Sequence, residues 1–269
     1  LKDVETGGIS FTETVTFNLN GNNLTINAPD NTGMLFIEGG TIENGSIYAT
    51  STADEMFRAI VLGIGYGLTV DDVNLTIENA PNHEDPSKDY NNVGFQVYGK
   101  SSLTLKGDTV IDTSNIDTSY NSVGVIVIGD ERTDPSYVRV KDNTRIEVGQ
   151  FGISGDGGSG HGNTVIEIAD DTVVSASNGW GVYHPQSGIL NINGNSTISG
   201  LTGIEIRSGT LNMTGGTVYS TADNLVSTPN GGGPTSTGAA IAISQHTTNL
   251  DISVNISGGS LSGPSALYE

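Results

Sequence analysis

One short phrase recurs along the chain, and its fixed internal spacing constrains the fold more than any other feature. It reads apolar-x-apolar, three spacer residues, Thr or Ser, any residue, then an apolar or aromatic residue. Its copies begin at Leu103, Val138, Ile166, Leu190 and Leu211, and a looser copy begins at Val254. The step between the Thr or Ser anchors falls from 35 residues after Thr109 to 21 residues after Ser196. A constant phrase in a repeat of variable length indicates one rigid unit with loops of different lengths between copies.

Each half of the phrase alternates apolar and polar residues, which predicts a strand with one buried face. The spacers are rich in Asn, Asp and Gly, as in Asn193-Gly194-Asn195 and Thr214-Gly215-Gly216, and these residues favour turns. A third strand with a Gly near its start also recurs, for example at Val93–Val97 and Thr202–Ile206. Three short strands and three turns therefore make one coil.

Stacked coils pair like strands in parallel, and the usual handedness of parallel crossovers favours a right-handed stack. The sequence predicts an all-β fold: a single right-handed parallel β-helix, or β-solenoid, with three short strands per coil. About nine or ten coils fit into one domain that covers residues 1–269. The N-terminal part follows the plan less regularly, and residues 52–58 are expected to form the one helical turn.

Composition restricts the partners and the location. Ten Lys and Arg residues against thirty Asp and Glu residues give a net charge of −20, which argues against nucleic acid and anionic membrane surfaces. The chain has no Cys and no apolar run long enough to span a bilayer, so membrane insertion is not expected. We expect an extracellular protein, secreted or on a bacterial cell surface. Because the chain does not start with Met, we also expect a segment of a longer surface protein with neighbouring domains.

Two phrases, Ser187–Ser199 and Thr202–Thr217, resemble the coils of the pectin-lyase-like right-handed parallel β-helix superfamily. More narrowly, they resemble adhesin-like bacterial surface proteins. The resemblance covers the chain from about residue 15 onward. It implies the fold, and it leaves open polysaccharide lyases and hydrolases, carbohydrate-binding surface proteins and adhesins without chemistry.

Gly160-His161-Gly162 is similar to a motif of polygalacturonase-type glycosidases, and it lies five residues after Asp156. If the chain is an enzyme, the resemblance implies Asp156, His161, Glu205 and Arg207 as catalytic residues. Inverting hydrolysis needs two carboxylates about 6.5–9.5 Å apart, and no adjacent Asp pair precedes the His here. The alternative interpretation is a Gly-rich loop that happens to contain a His, which leaves no catalytic residue.

The outward positions of the third strand form a second candidate site, for a ligand. Aromatic rings stack on sugars, and polar groups bind hydroxyls or uronates. The alternative is an ordinary solvated face with a Glu205–Arg207 charge pair. The predicted ligand-binding residues are Gln96, Tyr98, Asp156, Tyr183, Glu205 and Arg207.

Acidic turns suggest cation sites, because carboxylates and backbone carbonyls bind Ca²⁺. The candidate metal ligands are Asp130, Glu131 and Asp134, although their spacing is not that of an EF-hand. Ca²⁺ is the only cofactor that the sequence suggests, and solvated turns without a cation are the alternative.

The sequence therefore favours a non-enzymatic, adhesin-like β-helix module of the bacterial cell surface that binds a polysaccharide or a host surface ligand on the third-strand face. The alternative is a polysaccharide lyase or glycoside hydrolase that acts on cell-wall or acidic polysaccharide. A self-assembling structural repeat without ligand is a third interpretation.

Overall fold

The computed structural model describes residues 3–51, 56–77, 91–113, 121–130, 135–158 and 162–269. Every regular element in these ranges is a β-strand. The first nine are β1 (Val4–Thr6), β2 (Ile9–Phe11), β3 (Val15–Asn18), β4 (Asn23–Ala28), β5 (Thr32–Phe36), β6 (Gly40–Ser51), β7 (Phe57–Leu62), β8 (Gly67–Ile77) and β9 (Asn91–Tyr98). The next nine are β10 (Ser102–Lys106), β11 (Val110–Asp112), β12 (Asn121–Ile128), β13 (Ser136–Val140), β14 (Arg145–Val148), β15 (Phe151–Gly155), β16 (Thr164–Ile168), β17 (Val173–Ala176) and β18 (Trp180–His184). The last nine are β19 (Gly188–Ile192), β20 (Thr197–Gly200), β21 (Thr202–Ile206), β22 (Gly209–Ser220), β23 (Val226–Ser227), β24 (Ser236–Thr237), β25 (Ala239–Ile243), β26 (Ile252–Ser262) and β27 (Ser265–Tyr268).

The strands form parallel ladders in which each strand pairs with its equivalent further along the chain. The recurring Gly-containing strand forms a ten-stranded sheet, here called the glycine ladder, in the order β2-β5-β7-β9-β12-β15-β18-β21-β25-β27. The two halves of the repeated phrase form a 15-stranded sheet. Within it, β8 and β22 bend through a corner and pair in both halves, so the hydrogen-bonded path closes into a ring. The predicted all-β class and parallel pairing are confirmed; β23 and β24 form an antiparallel pair.

Equivalent residues of the repeated phrase lie directly over one another. One core column follows the second apolar position of the phrase, and each of its side chains is fully buried. The column contains Ile42, Val70, Leu105, Val140, Ile168, Ile192 and Met213. The alternation in the sequence therefore lines one continuous apolar interior, because a buried position stays buried in each successive coil.

The Gly of the third strand lies at a close contact between coils. A Cβ at any of these positions would lie 2.4–2.7 Å from a carbonyl oxygen of the next coil, closer than real side chains approach. The column consists of Gly94, Gly124, Gly152, Gly181 and Gly203. This contact explains why a Gly recurs at this position in β9, β12, β15, β18 and β21. The same column holds another small residue in β7 and in β25, Ala59 and Ala240.

Two local predictions differ from the structure. Residues 52–58 are not a helical turn throughout, because Phe57 and Arg58 begin strand β7; residues 52–55 lie outside the described part. The spacer Thr214–Gly216 is not a separate turn but lies inside β22, where the register shifts twice. A continuous strand forms there because the shifts absorb the spacer residues. The described ranges hold no helix of the length and hydropathy needed to cross a bilayer.

Candidate functional site

The glycine ladder brings the predicted outward residues into one row. Two positions after each column Gly, the paired residues are Gln96, Ile126, Ser154, Tyr183 and Glu205, and Val61 extends the row before Gln96. A second row lies two residues further on, where Tyr98 pairs with Ile128. The predicted register is therefore confirmed. It places four of the candidate ligand residues on one face, with Gln96 and Tyr98 in β9 and Tyr183 and Glu205 in β18 and β21 further along the ladder.

Two loops cover the C-terminal half of this face. The cover loop, residues 221–238, leaves the end of β22 and contains the β23–β24 hairpin. The second loop, residues 244–251, follows β25. Beneath them Glu205 is 0% exposed, Arg207 1% and Tyr183 5%. The prediction that Glu205 and Arg207 lie on a solvated face is therefore wrong, because the two loops fold over the strand and exclude water from both side chains.

Arg207 binds both loops through their backbone. Its Nη2 donates to the carbonyl oxygens of Asn230 and Gln245, each at 2.7 Å. Its Nη1 donates to the carbonyl oxygen of Gly233 and, at 3.4 Å, to the hydroxyl of Tyr183. The guanidinium is always charged, so its burial demands such partners. Arg207 thereby fixes the path of the cover loop.

Glu205, two residues before Arg207 in the chain, also binds both loops. Its carboxylate accepts the Thr235 N–H at 2.8 and 3.1 Å, the Thr235 hydroxyl at 2.8 Å and the Ser244 hydroxyl at 3.0 Å. Arg207 Nε lies 3.9 Å from Glu205 Oε1. We call this charge pair, with its hydrogen bonds to both loops, the latch. The enzymatic interpretation assigned the same carboxylate and guanidinium to substrate or metal binding.

Tyr183 and His246 pack around the latch. The Tyr183 hydroxyl donates to the carbonyl oxygen of Gly232 at 3.0 Å, and burial raises the Tyr183 pKa above its usual value, partly offset by Arg207. The His246 ring lies against Gly157, where an added Cβ would be 2.6 Å from Nε2. Burial, and secondarily the charge of Arg207, lower the pKa of His246, which favours the neutral imidazole.

Asp156 lies at the edge of this covered region. Its Oδ1 accepts the Gly158 N–H at 2.8 Å, and its own N–H faces Gln186 Oε1 at 3.4 Å. The carboxylate therefore closes its own turn. His161, the other half of the predicted acid-and-His pair, lies outside the described residues. The structure thus brings Asp156, Glu205 and Arg207 to one region, with the last two buried.

In the N-terminal half of the face, none of the described loops covers the strands. Tyr98 is 36% exposed, and the half-buried Gln96 accepts a hydrogen bond from Arg58 Nε through Oε1. Exposed apolar side chains lie nearby at Ile37, Ile64 and Tyr66. Of the predicted ligand residues, the half-buried Gln96 and the exposed Tyr98 lie on the part of the face that no described loop covers.

Several residues of this region carry no signal in the sequence. His184 is fully buried, its Nδ1 lies 3.0 Å from the carbonyl oxygen of Ser208, and burial lowers its pKa to about 4. It is the last residue of a repeat strand, and a single His in that position has no distinctive spacing. His246 and Arg58 are likewise isolated in the sequence. Their neighbours come from other coils, which only the stacking register reveals.

The predicted cation site is only partly described. Asp130 is half-buried after the end of β12, and Glu131 and Asp134 lie outside the described residues. In the described part of the chain, no group of three or more His, Asp or Glu side chains is placed to hold a metal ion. The Ca²⁺ site therefore stays a prediction.

Comparison with protein-family models, curated proteins and solved structures finds no match to this chain. The functional argument therefore depends on the geometry of the two halves of the glycine-ladder face.

Proposed function

We propose that this chain is a non-enzymatic, adhesin-like module of the bacterial cell surface, built as a right-handed parallel β-helix that binds polysaccharide on its glycine-ladder face. The right-handed sense is supported by the strong preference of parallel crossovers for that hand. The resemblance of Ser187–Ser199 and Thr202–Thr217 to coils of the pectin-lyase-like superfamily supports the same assignment.

One observation carries the non-enzymatic assignment. Glu205 and Arg207, the carboxylate and cation that lysis or hydrolysis would use, are 0% and 1% exposed and bind the backbone of two covering loops. A polymer must reach a catalytic acid or base within hydrogen-bond distance, about 2.6–3.2 Å. In this arrangement the loop atoms occupy those positions, so the pair supports structure instead of chemistry.

Composition supports the proposed location and partners. A net charge of −20 and the lack of Cys suit a protein exposed outside the cell, and the charge repels nucleic acid and anionic membrane surfaces. Neighbouring domains of one longer chain are part of this proposal. The ligand in this proposal is a polysaccharide of the cell wall or of a host surface, and the proposed module needs no cofactor.

The test is a search for turnover. Purified protein is incubated with pectate, alginate and xylan, with and without Ca²⁺, and unsaturated-uronate absorbance and new reducing ends are followed. We expect no signal above a heat-denatured sample. Turnover that depends on Ca²⁺, or reducing ends that grow with enzyme concentration, would replace this proposal with the lyase or hydrolase alternative. Antibody labelling of intact producing cells tests the location.

A further inference from the structure

We infer that the open N-terminal half of the glycine-ladder face holds the saccharide site, a slot bounded by Ile37 and Tyr98, and that its ligand is a neutral polymer of pyranose sugars. This inference rests on the proposed function and assigns binding to one part of one face. The covered C-terminal half, with Tyr183, Glu205 and Arg207, is then excluded from binding.

The position between Ile37 and Tyr98 is a Gly, so no side chain lies between theirs in the slot. Gly63 directly follows β7. Because Val61 pairs with Gln96, Gly63 lies beside Tyr98 on one side and beside Ile37 on the other. A Cβ on Gly63 would lie 2.1 Å from the carbonyl oxygen of Ile37, so no other residue fits there without moving the backbone. Ile37 is 39% exposed and Tyr98 36% exposed. Two coil steps of about 4.8 Å each separate them, so in this proposal the two side chains flank one sugar ring.

Polar groups lie beside the slot. Two residues before Ile37, Gly63 and Tyr98 in their strands, Leu35, Val61 and Gln96 form a parallel row on the same face. Arg58 Nε donates to Gln96 Oε1, and the amide nitrogen of Gln96 takes no part in that bond. Past Leu35 and Val61 the face opens into a cavity of about 410 Å³. Its other lining residues are Gly8, Ile9, Ser10, Pro29, Asp30, Asn31 and Thr32.

This combination fits a sugar polymer better than a protein surface. An apolar wall with an aromatic ring and a few placed polar groups is typical of small-ligand sites. A stable protein interface needs about 800 Å² and roughly 20–30 residues on each side. Among the described residues, the exposed apolar side chains of this patch are too few for that: Ile37, Ile64, Tyr66 and Tyr98. The cavity and the slot lie on one continuous strand face, as an extended chain of sugars requires.

Charge selects the neutral polymer. The chain carries −20 overall, so a polyanion approaches against a repulsive field. A neutral sugar meets no such repulsion, so its hydroxyl groups are better partners for this face than uronate carboxylates.

The experiment measures binding of three neutral hexasaccharides, β-1,4-linked glucose, xylose and mannose, and of a galacturonate hexasaccharide, by isothermal titration calorimetry. The test variant is Tyr98→Ala. The matched control is Tyr48→Ala, because Tyr48 is 39% exposed and lies in β6 outside the glycine ladder. We expect at least one neutral hexasaccharide to bind, Tyr98→Ala to weaken it by about tenfold or more, and Tyr48→Ala to leave it unchanged. Both variants change exposed side chains, so melting temperatures equal to wild type confirm that folding is not the cause.

Three results overturn the inference, and they are distinguishable. If wild type binds none of the four sugars, the proposed glycan binding and the slot both fail. If wild type binds a neutral hexasaccharide and Tyr98→Ala binds it equally well, the slot fails and the proposed function stands. If the galacturonate hexasaccharide binds best, the assignment to a neutral polymer fails.

Discussion

At the scale of single residues, the buried latch determines where the cover loop lies. The guanidinium of Arg207 and the carboxylate of Glu205 are both out of water, and each is satisfied chiefly by loop groups from two segments. Removing one partner of a buried charge pair leaves the other charge without compensation, which typically costs about 3–5 kcal/mol.

Replacing Arg207 with Ala is therefore expected to lower the free energy of unfolding by about 3 kcal/mol or more and to free the cover loop. Urea denaturation measures the first effect, and limited proteolysis within residues 221–238 measures the second. The control is Arg145→Ala, because Arg145 pairs with Glu147 on the surface, where such pairs contribute about 0–1 kcal/mol. Equal losses in the two variants would contradict the assigned role of Arg207.

His184 links stability to pH. Its pKa is about 4 in the folded protein and about 6.5 in an unfolded chain. Between pH 6.5 and pH 4 the imidazole is therefore protonated in the unfolded state and neutral in the folded state. Stability is then highest above pH 6.5 and falls as the pH drops toward 4, by about 3 kcal/mol for this group. His246, whose pKa is also lowered, contributes with the same sign.

Thermal unfolding of wild type and His184→Gln at pH 7.5, 6.5, 5.5 and 4.5 checks this expectation. The variant is expected to lose much of the decline in melting temperature between pH 6.5 and 4.5, whatever its absolute stability. An identical decline in both proteins would show that His184 does not set the pH dependence.

The sequence predicts which residues share the candidate face but not which of them water reaches. Period-two alternation and the column Gly were enough to place Gln96, Tyr183 and Glu205 in one row, because register follows from the repeat. Their burial depends on the path of the cover loop, which has no repeat of its own. A carboxylate and an Arg two residues apart look the same in sequence whether they face solvent or clamp a loop.

At the scale of the strands, one small residue per coil decides how closely the glycine ladder stacks. The Cβ of an Ala at position 152 would lie 2.4 Å from the carbonyl oxygen of Gly181 and 2.4 Å from Val174 Cγ1. The coil spacing is set by hydrogen bonds along all ladders, so the backbone has little freedom to relax. Overpacking of this kind typically costs about 1–3 kcal/mol.

Gly152→Ala is accordingly expected to lower the free energy of unfolding by about 2 kcal/mol or more, measured by urea denaturation. Gly232→Ala is the matched control, because its Cβ would meet nothing within 4 Å. That variant is expected to stay within about 0.5 kcal/mol of wild type. If Gly152→Ala were as stable as wild type, Gly would be dispensable at this position of the repeat.

The strands themselves were predicted more reliably than the corners between them. Alternation placed β10, β13, β16 and β19 correctly, because both faces of each strand have a constant environment in every coil. The corner at Thr214–Gly216 was predicted as a turn, and it lies inside β22. Gly and Asn permit a tight turn and a bent strand equally, so composition alone does not distinguish the two.

At the scale of the whole molecule, the parallel ladders make each coil depend on the coils above and below it. A coil in the middle buries its apolar residues against two neighbours, as the fully buried Val140 and Ile168 show. The end coils have one neighbour: β1 and β26 consist mainly of exposed and half-buried residues. Stability in such stacks is approximately a sum of coil and nearest-neighbour contributions, so it should fall toward the ends.

Hydrogen exchange of backbone amides tests this gradient with matched positions of the repeat. Val140 and Ile256 occupy the same column, with Val140 in an interior coil and Ile256 in β26 at the end of the ladder. We expect protection at Val140 to exceed that at Ile256 by at least about a hundredfold, because opening β26 breaks contacts on one side only. Peptides from β13–β20 should exchange last and those from β1 and β26 first, at any protein concentration. Equal protection in the middle and at both ends would mean that the stack opens as one cooperative unit, and coil-by-coil additivity would then be wrong for this protein.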